Sequence, residues 1–308
     1  MSTIVWIGLG HMGGPMTANL VAAGHTVRGV DLNPAAAEAA ASHGVEVAGS
    51  VAEALVGADA CFTSLPKPEH VRSVYADAVF PHADAATLLL DTSTVDIDTS
   101  RWCHAEASAH GLSFVDAPIS GGTAGAAAHT LTFMLGGRED DVERARELVA
   151  PMAGAVIACG GPGSGIAAKL VNNMMLLVEV MALSEGSQLA EQLGLDHRVF
   201  YKVASVSSAS SWAQRLWYPV PGVVETAAAN RNFDATFSVD LARKDCSLAV
   251  HAAHGTGVRI PAAELALAQL DQLVAEGLGG KDCTIVAKLA SPDGVLRGYD
   301  PARDDPPR

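Results

Sequence analysis

The sequence predicts an α/β protein. It has an N-terminal domain with a parallel, doubly wound sheet over residues 1–162, an all-helical domain over 163–290 joined to it by one long helix, and a flexible tail over 291–308. Three observations carry this reading. Short apolar runs with strand character alternate with helical runs through the first half of the chain. A glycine cluster, Gly8-Leu9-Gly10-His11-Met12-Gly13, stands between the first strand and the first helix. From Gly163 onward the apolar spacing is helical and strand signals disappear.

The first strand, 3–7, leads through the glycine cluster into a helical run over 15–23, then to a second strand, 26–30, which ends in Asp31. A mononucleotide-binding βαβ unit requires this order. Its glycines let the backbone turn tightly and approach a pyrophosphate, the helix N-terminus meets the phosphate charge, and an acid about 20 residues on accepts from the ribose hydroxyls. The first domain therefore reads as a Rossmann-type dinucleotide-binding fold. A carboxylate at Asp31 repels a 2′-phosphate, and Leu32 and Asn33 offer no arginine to hold one, so NAD is expected ahead of NADP. Arg28 is the nearby cation able to fold back toward that position.

Strands at 45–48, 60–65, 88–91, 113–117 and 130–135 continue the alternation. Two of them run into the loops Thr63-Ser64-Leu65-Pro66 and Asp91-Thr92-Ser93-Thr94. Ligands of a doubly wound sheet lie at the carboxyl ends of its strands, so both loops are candidate walls of a nicotinamide site. Ser93 or Thr94 is equally placed to cap the helical run through Cys103. Downstream, Ser120-Gly121-Gly122-Thr123 either exposes consecutive backbone N–H groups to a carboxylate or serves only as a turn.

In the second half a run over 166–193 is opened by Gly160-Gly161-Pro162-Gly163 and closed by Gly194. Lys169 and Asn173 are four apart and share a face. On a helix with so few charges they mark either a stripe that meets a polar ligand or a lysine snorkelling to water. Runs over 197–207, 241–254, 262–276 and 281–290 complete the domain. Between them, 212–237 is an irregular stretch long enough to carry function or an interface. A long apolar helix beside a small helical domain points to a homodimer or homotetramer.

With 34 acidic against 20 basic residues, the net charge of −14 argues against a nucleic-acid surface. The five cysteines are far apart and show no metal-ligand spacing, so they read as reduced thiols with no metal site. The N-terminus has no basic region before its first strand, which gives a cytoplasmic expectation. Asn172, Asn173 and Glu179 interrupt the most apolar run, so no membrane-spanning segment is expected.

Four motifs, in order, resemble the β-hydroxyacid dehydrogenase family, relatives of 6-phosphogluconate dehydrogenase. They are the glycine cluster extended by Gly14-Pro15-Met16, then Asp116-Ala117-Pro118-Ile119-Ser120-Gly121-Gly122, then Gly163-Ser164-Gly165 with Lys169 and Asn172-Asn173, and last Lys244-Asp245. Thr123 with Gly125-Ala126, and the 212–222 segment, look most like the 3-hydroxyisobutyrate dehydrogenase branch. The resemblance runs to about residue 290 and departs at His70, Arg243 and the tail.

The resemblance implies that Lys169 is the catalytic lysine and Asn173 a substrate-orienting amide. It places Ser120, Gly121, Gly122, Thr123 and Trp212 on a small anionic hydroxy acid. It places Gly8, Leu9, Gly10, His11, Met12, Gly13, Asp31, Leu65, Pro66, Thr94 and Lys244 along NAD. The implied reaction is reversible oxidation of a short 3-hydroxy acid to its semialdehyde, with 3-hydroxyisobutyrate the expected substrate. Hydride passes to the nicotinamide while Lys169 takes the hydroxyl proton. The alternatives are another small aldehyde acid, such as tartronate semialdehyde, and a dinucleotide-binding protein without turnover.

Overall fold

The computed structural model describes residues 1–303, and the chain divides between Leu170 and Val171 into two compact units. The sequence reading places the boundary at 162/163, at the start of the long helix, whereas the contacts divide the chain within that helix.

In the first unit the order is β1 (Thr3–Ile7), α1 (Gly13–Ala22), β2 (Thr26–Val30), α2 (Pro34–Ala41), β3 (Glu46–Val47), α3 (Val51–Leu55), β4 (Ala60–Thr63) and α4 (Pro68–Val74). It continues with β5 (Leu88–Asp91), α5 (Ile97–Ala109), β6 (Ser113–Asp116), β7 (Ile119–Ser120), α6 (Gly122–Ala127), β8 (Leu131–Gly136), α7 (Glu139–Val149) and β9 (Ala153–Gly160). The strands form one sheet in the order β3-β2-β1-β4-β5-β6-β8-β7, with β9 paired to β8.

The centre of the sheet is parallel, as predicted. β1, β4 and β5 are apolar and buried along nearly their whole length, because helices must cover both faces of such a sheet. Trp6 stacks on Phe62 across β1 and β4, with ring centroids 4.8 Å apart. The far edge departs from the prediction. β8 runs antiparallel to β6 and β7, so the sheet is mixed, and β9 lengthens it beyond the strands read from the sequence. β9 is Ala153-Gly154-Ala155-Val156-Ile157-Ala158-Cys159-Gly160, whose small residues and mostly exposed faces give little strand signal.

α8 (Ser164–Gln192) runs through the division between the units. The second unit continues with α9 (His197–Val206), α10 (Trp212–Leu216), α11 (Val239–Thr256), α12 (Pro261–Ala275) and α13 (Ala287–Ala290). The core of this unit gathers Leu177 and Val180 of α8, Phe233, Cys246 of α11, Leu270 and Leu273 of α12, and Ile285. The predicted irregular stretch 212–237 holds α10 and a short 3-10 turn at Ala228–Arg231.

Two expectations need correction. α8 is long and apolar enough, by length and composition, to cross a membrane, despite Asn172, Asn173 and Glu179. Its buried residues include the polar Ser184, Ser187 and Gln188 beside Leu177 and Val180. The tail is also shorter than expected. Residues 291–303 lie against the second unit: Leu296 is 3% exposed in its core, Tyr299 meets Phe233 edge-on at 6.5 Å, and Asn232 Oδ1 accepts from the Asp300 N–H at 2.6 Å. The rest of the expected tail, 304–308, lies outside the described residues.

Candidate active site

The glycine cluster follows β1 and opens α1. Gly8 has φ +97°, and a Cβ on it would sit 2.3 Å from the Ser64 carbonyl oxygen. At Gly13 a Cβ would lie 1.9 Å from the Gly8 oxygen, so the turn closes only with glycine at both positions. Gly10 has nothing within 4 Å and is exposed, which keeps the outer side of the turn open. His11 is exposed beside it, Met12 is half-buried, and among the described residues no side chain caps α1. The first N–H groups of α1 are therefore placed for an anion.

Asp31, at the end of β2, accepts from the Leu9 N–H at 2.6 Å and from the Asn33 N–H at 2.7 Å. The carboxylate is aimed back at the glycine turn and keeps further lone pairs for ribose hydroxyls. Arg28 does not fold toward it, because its guanidinium donates to the carbonyls of Ala54 and Val56 at 3.1 and 2.7 Å. This cradle fits a dinucleotide.

The two loops at the ends of β4 and β5 are cross-linked. Thr63 Oγ1 donates to Asp91 Oδ1 at 2.7 Å and lies 3.1 Å from the Tyr75 hydroxyl. The Ser93 N–H donates to the same Asp91 oxygen at 3.1 Å, and Ser93 Oγ accepts from the Leu65 N–H at 2.8 Å. Leu65 and Pro66 are thus tied to the loop that carries Thr94. Neither Ser93 nor Thr94 caps α5, as the sequence allowed; Asp96 does, accepting from the Thr99 N–H at 2.6 Å. Burial raises the Asp91 carboxyl above its usual range against the pull of its Ser93 and Thr63 hydrogen bonds, and burial beside Asp91 raises the Tyr75 phenol.

β7 ends at Ser120, and Gly121 and Gly122 take φ +134° and +64°. The first bond of α6 is from the Gly125 N–H to the Gly121 oxygen at 3.1 Å. The N–H groups of Gly122, Thr123 and Ala124 precede it without intrahelical acceptors, which leaves a nest that can hold a carboxylate.

On α8, Lys169 is 8% exposed and Asn173, one turn later, 3%. Burial to this degree excludes the snorkelling alternative. In the second unit Asn173 Nδ2 donates to Asp245 Oδ2 at 2.7 Å, and Lys244 Nζ lies 3.0 Å from Asp245 Oδ1. Asn173, Lys244 and Asp245 therefore form one cluster. Asp245 was not among the predicted site residues, although a signal was present: it falls in the buried stripe of α11, with Val239, Ala242, Cys246 and Ala249, where a charge requires a partner. Trp212, the first residue of α10, is 41% exposed and packs edge-on against Trp217 at 4.9 Å.

Residues 3–161 match the NAD-binding domain of 6-phosphogluconate dehydrogenase. Residues 163–290 match the family model described as NAD-binding of NADP-dependent 3-hydroxyisobutyrate dehydrogenase. The chain belongs to the 3-hydroxyisobutyrate dehydrogenase family. It is an NAD(P)-dependent dehydrogenase acting on the CH–OH group of a 3-hydroxy acid. The structure of Mycobacterium tuberculosis 3-hydroxyisobutyrate dehydrogenase with L-serine is similar, at 45% identity and a TM-score of 0.88, over 94% of this chain and 99% of that one. An NAD-dependent L-serine dehydrogenase of Pseudomonas aeruginosa is 38% identical over 95% of this chain and 99% of its own length. The mitochondrial 3-hydroxyisobutyrate dehydrogenase of Drosophila melanogaster is 36% identical over 93% and 88%.

Proposed function

We propose that this dehydrogenase uses NAD to oxidise 3-hydroxyisobutyrate to methylmalonate semialdehyde, with Lys169 as the proton acceptor. The observation that carries the reading is a buried amine one helical turn from a buried amide whose orientation Asp245 fixes. When bound, the nicotinamide supplies the hydride acceptor. Lys169 takes the proton of the substrate hydroxyl, Asn173 orients the same oxygen, and the N–H groups after Gly121 hold the substrate carboxylate. In the reducing direction the lysine returns the proton. NAD is favoured over NADP by Asp31 at the ribose position and by the engagement of Arg28 with α3.

L-serine is the second reading. It shares the 3-hydroxy acid skeleton, and both a serine dehydrogenase and a serine-bound structure are among the relatives. A kcat/KM panel of 3-hydroxyisobutyrate, L-serine and reduced tartronate semialdehyde, with NAD and NADP, separates the readings. Lys169→Ala is the test of mechanism: kcat should fall by about 10³-fold or more while NADH binding is kept. A variant within tenfold of the parent rejects the assignment.

We also propose a homo-oligomer. The support is apolar side chains left exposed: Met175, Leu189 and Leu193 along and just past α8, and Val199, Val203 and Val206 along α9. The free cysteines, four of them buried, support a reducing compartment such as the cytoplasm.

A further inference from the structure

We propose that Asp116, held by His104, is a positioning residue that fixes the distance between the base and the carboxylate grip. The inference rests on the reading of Lys169 as the base. Asp116 is the last residue of β6 and is 1% exposed. Its Oδ1 accepts from the Gly163 N–H at 2.9 Å and its Oδ2 from the Ile166 N–H at 2.9 Å. One donor is the residue just before α8 and the other lies in its opening turn, where N–H groups lack intrahelical acceptors, so Asp116 caps this helix from a strand about 50 residues earlier. His104 Nε2 donates to Oδ1 at 2.7 Å and fixes the carboxylate from the other side.

The surrounding backbone is shaped for this contact. A Cβ on Gly165 would lie 2.3 Å from the Met134 oxygen and 2.8 Å from Asp116 Oδ2, and one on Gly136 would lie 2.7 Å from both Asp116 oxygens. Only glycine at both positions lets the start of α8 approach β6 and β8 so closely. Lys169 follows Ile166 by three residues, less than one turn, so a rotation or slide of the first turn is transmitted to the amine.

Asp116 also lies four residues before Ser120, and the intervening chain is pinned. The Ala117 N–H donates to the Asp91 main-chain carbonyl at 2.8 Å, and the Pro118 carbonyl accepts from the Met134 N–H at 3.0 Å. One carboxylate therefore references both the helix that carries the base and the turn that receives the substrate carboxylate. The expected signature of its loss is in the hydroxy-acid parameters and not in those of NAD.

The test compares Asp116→Asn, His104→Ala and His104→Gln with Lys169→Ala, each with rates normalised to NADH-binding sites. Asp116→Asn should lower kcat by about 10²-fold and raise KM for the hydroxy acid, with KM for NAD unchanged. His104→Ala should shift the same two parameters in the same direction, and His104→Gln, which retains a donor, should recover at least about half of the loss. A lowered melting temperature with kcat per site unchanged in Asp116→Asn makes the clamp merely structural and overturns the proposal. If Asp116→Asn does not fold, the two His104 variants decide: equal, parental kcat in both also overturns it. Near-parental activity in Lys169→Ala instead rejects the base assignment on which the proposal rests, a separate failure.

Discussion

Asp245 fixes which way the Asn173 amide faces. By accepting from Nδ2 at 2.7 Å it directs Oδ1 the other way, toward Asn172 Nδ2 at 3.1 Å. Replacing it with alanine leaves a buried donor unmet, so Asp245→Ala should cost about 1–3 kcal/mol in chemical denaturation and lower kcat by about tenfold or more. A variant with parental kcat would remove Asp245 from the account. The proposed preference for NAD is tested at Asp31. Asp31→Ala should narrow the ratio of kcat/KM for NAD over NADP, because one carboxylate no longer repels the 2′-phosphate; an unchanged ratio would place the discrimination elsewhere. At this scale the sequence was legible where a role depends on neighbours along the chain. The glycines and Asp31 stand out by spacing, whereas the helical period puts Lys169 and Asn173 on one face and only the order of motifs along the whole chain singles them out. Asp245 and Asp91 are not readable that way, because their partners Asn173 and Thr63 lie 72 and 28 residues off.

The pair of loops after β4 and β5 is where pH should act on an element. Burial raises the Asp91 carboxyl above its unfolded value, so the folded state holds the proton more tightly than the unfolded chain does. The sign follows: this contribution to stability is fully present below the unfolded pKa of about 3.9 and is lost as pH rises through the folded value. Urea midpoints of the parent relative to Asp91→Asn should therefore decline from acid toward neutral pH and then level off. A difference that grows with pH would contradict the raised value. In the helical unit, Leu270→Ala should cost about 2–5 kcal/mol, because Leu270 is 4% exposed within a packed core. Most elements were legible because a buried strand or an amphipathic helix writes its period into the sequence. β9 was not, since small residues on exposed faces carry no period, and the antiparallel course of β8 depends on pairings that no local pattern encodes.

For the whole molecule, the exposed apolar residues of α8 and α9 bear on assembly. Met175→Glu together with Leu189→Glu should lower the mass measured by sedimentation, and an unchanged mass would exclude this face from the contact. The division into a nucleotide-binding half and a helical half was visible from composition and spacing alone. The position of residues 291–303 was not, because prolines and charges there resemble a solvated end, while the anchors are the isolated Leu296 and a hydrogen-bonded Asn232 with a left-handed φ of 51°. Recognition of the family by its sequence model stops at residue 290, yet Leu296 is part of the helical core. Anyone who shortens the gene to the recognised boundary would leave that core with an unfilled hollow, and poor yield from such a clone would say nothing about the enzyme's chemistry.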